Sequence, residues 1–139
     1  MSFDGVVTDY YSGDLNCRLG GGIAINQETG TIYVSLSGHP DDGDAGKIMA
    51  FSENGLSRVV ADGLSRPQDI LYNADDGFVY YTDALEKKII KILGNGRLVD
   101  VARGFSLPRG FAKGTANEFF VIDQVTQSTA NVVRAVELP

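Results

Sequence analysis

LSRPQDILYNADDGFVYYTDALEKKIIKILGNGRLVDVARG, residues 64–104, holds four short apolar runs punctuated by turn residues, and its reading decides the fold. Asp69 to Asn73, Gly77 to Tyr81, Lys88 to Ile92 and the β-branched segment inside Gly96 to Gly104 are each the length of a strand. Asn73-Ala74-Asp75-Asp76-Gly77 and Gly94-Asn95-Gly96 lie between them and supply positive φ and side-chain capping. The pattern recurs upstream almost without gaps. Gly22-Ile23-Ala24-Ile25-Asn26 and Gly30-Thr31-Ile32-Tyr33-Val34 match the first two runs, Lys47 to Phe51 matches Lys88 to Ile92, and Asn54-Gly55 matches Asn95-Gly96. A looser copy follows at Gly110-Phe111-Ala112, Phe119 to Asp123 and Asn131 to Val136. A repeat of roughly forty residues with four short strands predicts propeller blades, sheets that bury both faces only against neighbouring blades. The expected class is all-β, with strands running outward from the first to the fourth of each unit.

A shared Gly-x7-Gly frame at Gly5 to Gly13, Gly55 to Gly63 and Gly96 to Gly104 sets the order of the units. The last two close full repeats, whereas the first has no unit in front of it and Asn131 to Val136 has no fourth strand behind it. This register predicts residues 1–13 as an outer strand that latches the third blade, 14–63 as blade 1, 64–104 as blade 2 and 105–139 as the inner strands of blade 3. Propellers use four to eight blades, so three would leave apolar faces open. The expected closure is a six-bladed homodimer with its strands exchanged between subunits, a nine-bladed trimer being the alternative. Ile48, Ile89 and Val132 align in the third strands, as do Phe51, Ile92 and Ala135. Both rows are expected between blades, with Lys91 a dispensable residue between them.

Composition is consistent with one domain of many short strands: 43% hydrophobic residues and 17 glycines in 139. The net charge of −6 works against a phosphate backbone as partner, so no nucleic acid is expected. No apolar run reaches the roughly 20 residues of a membrane helix, and Met1 to Asp4 opens no signal segment. The expected location is cytoplasmic, without membrane contact. Cys17 is the one cysteine, read as a small packed side chain rather than a reactive thiol.

Ser65-Arg66-Pro67-Gln68-Asp69-Ile70, continuing through Tyr80-Tyr81-Thr82-Asp83 to Lys88-Ile89-Ile90-Lys91-Ile92, resembles an NHL repeat and the related gluconolactonase-type repeat. Leu107-Pro108-Arg109-Gly110-Phe111-Ala112 resembles the NHL opening. The resemblance runs over nearly the whole chain and implies a six-bladed propeller. For the gluconolactonase type it also implies a divalent metal held partly by Asn or Asp at the head of a first strand, with a Glu from another blade. The matching positions are Gly21, Gln68 and Arg109. None is a carboxylate, Arg109 would repel a cation, and a hard metal such as calcium needs several oxygen ligands.

Connections on one face stay short while those on the other vary, at Asp14 to Leu19, Ser37 to Gly46 and Asp123 to Ala130. Loops that grow on one side of a rigid scaffold are a seat of binding. Arg109, Gln68, Arg66, Arg18 and His39 are the candidate ligand-binding residues there. Arg109 either makes the channel mouth positive and captures an anion, or pairs with Asp69 or Asp123 and plugs it. His39-Pro40-Asp41-Asp42-Gly43-Asp44 faintly resembles a calcium loop, with Asp41, Asp42 and Asp44 as weak metal candidates, but lacks the alternate spacing. His39 is the sole histidine, so no hydrolytic triad is supported. Asp83 and Asp123 are expected to bond backbone N–H groups of adjoining turns. Tyr33, Tyr72, Tyr80 and Tyr81 are expected to pack between blades. Two functions compete. One is a non-enzymatic homodimer that binds a peptide or small anion without a cofactor. The other is a metal-assisted hydrolase or lyase of the gluconolactonase or streptogramin-lyase type, with calcium at the acidic loop. The missing carboxylates favour the first.

Overall fold

A computed structural model describes residues 5–12, 15, 20–38, 45–115, 117–125 and 131–138. Among them the chain folds into strands β1 (Gly20–Asn26), β2 (Thr31–Leu36), β3 (Gly46–Phe51), β4 (Ser57–Leu64), β5 (Pro67–Asn73), β6 (Phe78–Asp83), β7 (Lys88–Ile92), β8 (Leu98–Arg103), β9 (Pro108–Lys113), β10 (Glu118–Gln124) and β11 (Asn131–Glu137). They form three antiparallel sheets, β1-β2-β3-β4, β5-β6-β7-β8 and β9-β10-β11. These are blades 1, 2 and 3. Strands β1, β5 and β9 adjoin in succession and form the inner edge. No helix among the described residues is long and apolar enough to cross a membrane.

The turns explain why the strands stop where they do. Gly30 and Gly77, at φ of 70° and 75°, each donate N–H to the carbonyl of the asparagine that ends the preceding strand, Asn26 and Asn73, at 2.8 Å. The same asparagines accept N–H from Glu28 and Asp75 through their side chains, at 3.0 and 3.2 Å. A left-handed glycine and an Asn side chain together close a four-residue hairpin loop that other residue types would strain.

Alternation along β3 and β7 divides their side chains between two seams. Ile48 joins Ile70, Tyr81, Ile90 and Ile92 between blades 1 and 2. Ile89 joins Phe105, Phe119 and Val121 between blades 2 and 3. Met49 and Phe51 cluster with Leu36 on the side of blade 1 that faces away from blade 2. Blade 2 thus has a blade on both faces, while blades 1 and 3 each have one face that no described blade covers. The tyrosines follow the expected placement: Tyr33 of blade 1 stacks on Tyr72 of blade 2, centroids 6.1 Å apart, and Tyr80 meets the edge of Phe119. Burial pushes the hydroxyl pKa of Tyr81 well up, and the nearby Asp83 and Glu86 push the same way.

The ladders correct one expectation. Ile48 lies opposite Ser35, Ile89 opposite Thr82, and Val133, not Val132, opposite Ile122. One row is therefore Ile48, Ile89 and Val133, and the other is Phe51, Ile92 and Val136 rather than Ala135. A one-residue slip exchanges the faces of a strand, so Val133 points to the open face while Val136 packs inward. Lys91, expected to matter little, has partners that the alternation does not show. Its ammonium bonds Asp76 at 2.9 Å and lies 4.2 Å above the Phe78 ring. Burial opposes the charge on Asp76, but bonds from Tyr80 and Lys91 outweigh it and hold the carboxyl below its usual range.

Residues 5–12 form no strand with β11 in the chain. They lie along blade 1, where the Tyr11 ring packs 4.8 Å from Phe51 and the Tyr10 hydroxyl donates to the Ser52 carbonyl at 2.9 Å. The outer edge of β11 is thus free of a fourth strand among the described residues.

Candidate functional site

Gly21, Gln68 and Arg109 stand second in the inner strands β1, β5 and β9, so the three heads lie side by side where those strands enter the sheets. The strand ends that follow in each blade lie on the same side. Ser37, just past β2, is buried; its hydroxyl donates to the Pro67 carbonyl and accepts from Gln68 Nε2 at 3.2 Å. The amide of Gln68 is thereby turned so that its Oε1 accepts from Arg109 Nη1 at 2.8 Å. Gln124, at the end of β10, accepts from Arg109 Nε and Nη2 through Oε1, at 3.3 and 3.2 Å. Ser37, Gln68, Arg109 and Gln124 therefore form one polar string across the heads of three blades.

Two lower contacts fix the inner strands behind this string. Ser35 donates to the Gln68 carbonyl at 3.1 Å, and Thr82, its equivalent one blade on, donates to the Arg109 carbonyl at 2.7 Å. Asp69 spans the second seam: Oδ2 accepts from Phe111 N and Oδ1 from its own neighbour Ile70 N, both at 2.9 Å. Its equivalents are Gly22 and Gly110, and a methyl group on Gly22 would collide with the Asp69 carboxylate. The carboxylate fits because its neighbour carries no side chain.

The acids offered as partners for Arg109 are engaged elsewhere. Asp123 is fully buried and accepts from Ser106 N, from Leu107 N at 2.8 Å and from Arg134 Nε at 2.7 Å. Burial opposes its charge, but the N–H groups of Leu107 and Ser106 and the Arg134 guanidinium outweigh that cost and hold its pKa below the usual carboxylate range. Asp83 caps its own turn in the same way, accepting from Arg66 N, Leu85 N and Glu86 N. Among the described residues Arg109 thus has amide oxygens as partners and no carboxylate. Among the described residues its charge is oriented by neutral acceptors alone.

Arg66 lies at the entry to β5, and its Nε is buried with no hydrogen-bond partner among the described residues. The structure therefore brings Gln68 and Arg109 into contact and adds Ser37 and Gln124, which the sequence reading passed over. Arg18, His39, Asp41, Asp42, Asp44 and Cys17 lie outside the described residues. Among those described, no group of three or more His, Cys, Asp and Glu side chains is placed to hold a metal. Ser37 and Gln124 had a signal: they stand at equivalent positions at the end of a second strand, Ser37 just past β2 and Gln124 last in β10.

These features match known architecture at the level of fold. The chain superposes on a nidogen/laminin complex structure with a TM-score of 0.70 at 15% identity, covering 85% of this chain and 44% of that one. It superposes on a gluconolactonase from Xanthomonas campestris with a TM-score of 0.71 at 12% identity, over 88% of this chain and 44% of that one. With virginiamycin B lyase from Staphylococcus aureus the TM-score is 0.56 at 18% identity, over 86% and 41%. The three sheets are propeller blades. The chain spans less than half the length of these structures, which corresponds to half a propeller. No family model and no curated protein sequence matches it. The neighbours include both a partner-binding complex and enzymes, so the shared fold leaves activity undecided.

Proposed function

We propose that this protein is a non-enzymatic binding module, working as a homodimer, whose channel mouth takes up the carboxylate or phosphate group of a small ligand or peptide. The observation that carries this reading is the set of Arg109 partners. Among the described residues this guanidinium is held by Gln68 and Gln124 and by no carboxylate, and its planar donors suit a bidentate anion. The surrounding chain carries a net charge of −6, so a local positive mouth discriminates by contrast. Arg66, with a donor that lacks a partner among the described residues, supports the same chemistry at the neighbouring head. The hydrolase or lyase reading would need metal ligands at the strand heads, where Gly21, Gln68 and Arg109 stand.

Calorimetric titration with phosphate and citrate tests the site. Binding to the wild type that vanishes in Arg109→Ala, with the melting temperature of the unliganded protein little changed, is the expected result. Unchanged anion binding in Arg109→Ala, or a large stability loss, would make Arg109 a structural residue. A rise in melting temperature with calcium, magnesium or zinc would instead favour the enzyme reading, because a ligand that binds the native state stabilises it.

Closure by a second copy into six blades accompanies this function. Residues 5–12 support it, since they lie on the face of blade 1 turned away from blade 2. A neighbouring blade 3 would stand on that face, with the open edge of its β11 beside them. Strand exchange would then supply each third blade with its outer strand. Sedimentation should report about twice 14.9 kDa, and deletion of residues 1–12 should abolish the dimer. A stable soluble monomer of the intact chain, or a dimer that survives that deletion unchanged, would sink the closure.

A further inference from the structure

We infer that the open face of blade 3 and the open face of blade 1 are the two halves of one seam, joined head to tail between copies of this chain, Val133 against Ile23 and Phe120 against Ile25. The inference rests on closure by a second copy and adds to it which residues meet. Both faces display apolar side chains: Ile23 is 70% and Val133 68% exposed, with Ile25, Phe120 and Ile122 also exposed. A cavity lined by Gly110, Phe120, Ile122 and Val133 marks the blade 3 face.

The pairing follows from the two seams already present. Ladder positions make Ile23 equivalent to Ile70, each opposite Val34 or Tyr81, and Ile25 equivalent to Tyr72, each opposite Ile32 or Val79. In the same way Val133 corresponds to Ile48 and Ile89, and Phe120 to Tyr33 and Tyr80. Between blades 1 and 2, Ile48 shares a cluster with Ile70, and Tyr33 stacks on Tyr72. Between blades 2 and 3, Ile89 shares a cluster with Phe111, the equivalent of Ile70. Carrying the blade-to-blade relation one step further sets Val133 on Ile23 and Phe120 on Ile25 of the next copy.

One position sets this seam apart. Ser35 and Thr82 reach across the internal seams to the carbonyls of Gln68 and Arg109, but the equivalent third residue is Ile122, which has no hydroxyl. It would face the backbone of Gly21, where no side chain obstructs the larger isoleucine. The seam between copies is therefore apolar where the internal seams are hydrogen-bonded. A ring built this way has two identical junctions, each of blade 3 against blade 1, and no contact of like with like.

Ile23→Glu and Val133→Lys test the pairing. Both positions are exposed in the single chain, so each variant should keep its fold, checked by circular dichroism and thermal melts. Each alone puts an unpaired charge in both seams and should sediment as a monomer. Their equimolar mixture forms one wild-type seam and one Glu–Lys seam, and should recover the dimer. Should a variant fold poorly, Ile25→Glu with Phe120→Lys repeats the test. On a Cys17→Ser background, mixed Ile23→Cys and Val133→Cys chains should cross-link, and neither should cross-link alone. A wild-type dimer whose variants fail to complement, or which cross-links Val133→Cys to itself, refutes the pairing while leaving closure intact. A wild-type monomer refutes closure, and with it the pairing. Anion titration on the monomeric variants reads the Arg109 site separately from either result.

Discussion

Replacing Asp123 by alanine removes a fully buried acceptor and strands the donors gathered around it. Ser106 N reaches both carboxylate oxygens, at 2.9 and 3.1 Å, Leu107 N reaches Oδ1 at 2.8 Å, and Arg134 Nε reaches Oδ2 at 2.7 Å. Each hydrogen bond to a charged group contributes about 1.5–3 kcal/mol, and the contributions do not add fully. The Arg134 side chain is partly exposed, so its share is discounted for solvent screening. The sum comes to about 3–5 kcal/mol, the range found when one partner of a buried pair is removed. For a chain of this size that corresponds to a fall in melting temperature of about 10–20 °C at fixed protein concentration. Urea melts of wild type and Asp123→Ala at neutral pH measure it. The pH dependence gives a second reading. The folded carboxyl titrates below its unfolded value, so its stabilisation is complete above about pH 4 and is lost as the pH falls through the lowered folded pKa. The gap between wild type and variant should therefore close toward low pH. A loss below about 1 kcal/mol, or a gap that widens on acidification, would refute the account of Asp123 as a turn anchor.

Ile89→Ala, at a fully buried site between blades 2 and 3, should cost about 2–5 kcal/mol in the same melts. Lys91→Ala should cost about 1 kcal/mol, from the lost ion pair and ring contact, with high salt reducing the effect. Thr82→Val keeps the shape but strips the Arg109 carbonyl and Asp69 N of their hydroxyl partner, and should lose about 1–3 kcal/mol; no change would mean water replaces it. Gly21→Ala drives a methyl into the Gln68 carbonyl and Ser35 hydroxyl, and should destabilise by about 1–3 kcal/mol, measured by thermal melting.

The strand runs and hairpin turns were legible because period-two alternation and Asn-to-Gly spacing are local signals, present in each copy. Register in the third copy was not. Its third strand lacks the lysine and Asn-Gly markers that pin the others, so Val132 and Val133 could be told apart only by the hydrogen-bond ladder. Gln68 and Arg109 were legible as neighbouring strand heads, because repeat alignment places equivalent residues at equivalent depths. Their bonding was not, since it depends on the amide orientation of Gln68 and on Ser37 and Gln124, brought near by packing. The part played by Asp69 was hidden for the same reason. A carboxylate between two inner strands makes sense only once Gly22 is seen to leave it room. Lys91 read as a residue of little weight between two core rows because the pattern alone shows neither Asp76 nor the Phe78 ring.

Within a single chain, blade 2 alone among the described sheets has a neighbour on both sides, and this arrangement governs how that chain opens when no second copy caps its ends. In a row of repeats each unit is held by its own stability and by its interfaces, so a unit with two interfaces opens last. Amide hydrogens of β6 and β7, where Tyr81, Thr82 and Ile89 are sealed from solvent, should exchange only through global unfolding. Those of β1 and β11 should exchange through fraying from either end. The middle blade would then act as the kinetic centre from which order spreads outward in both directions.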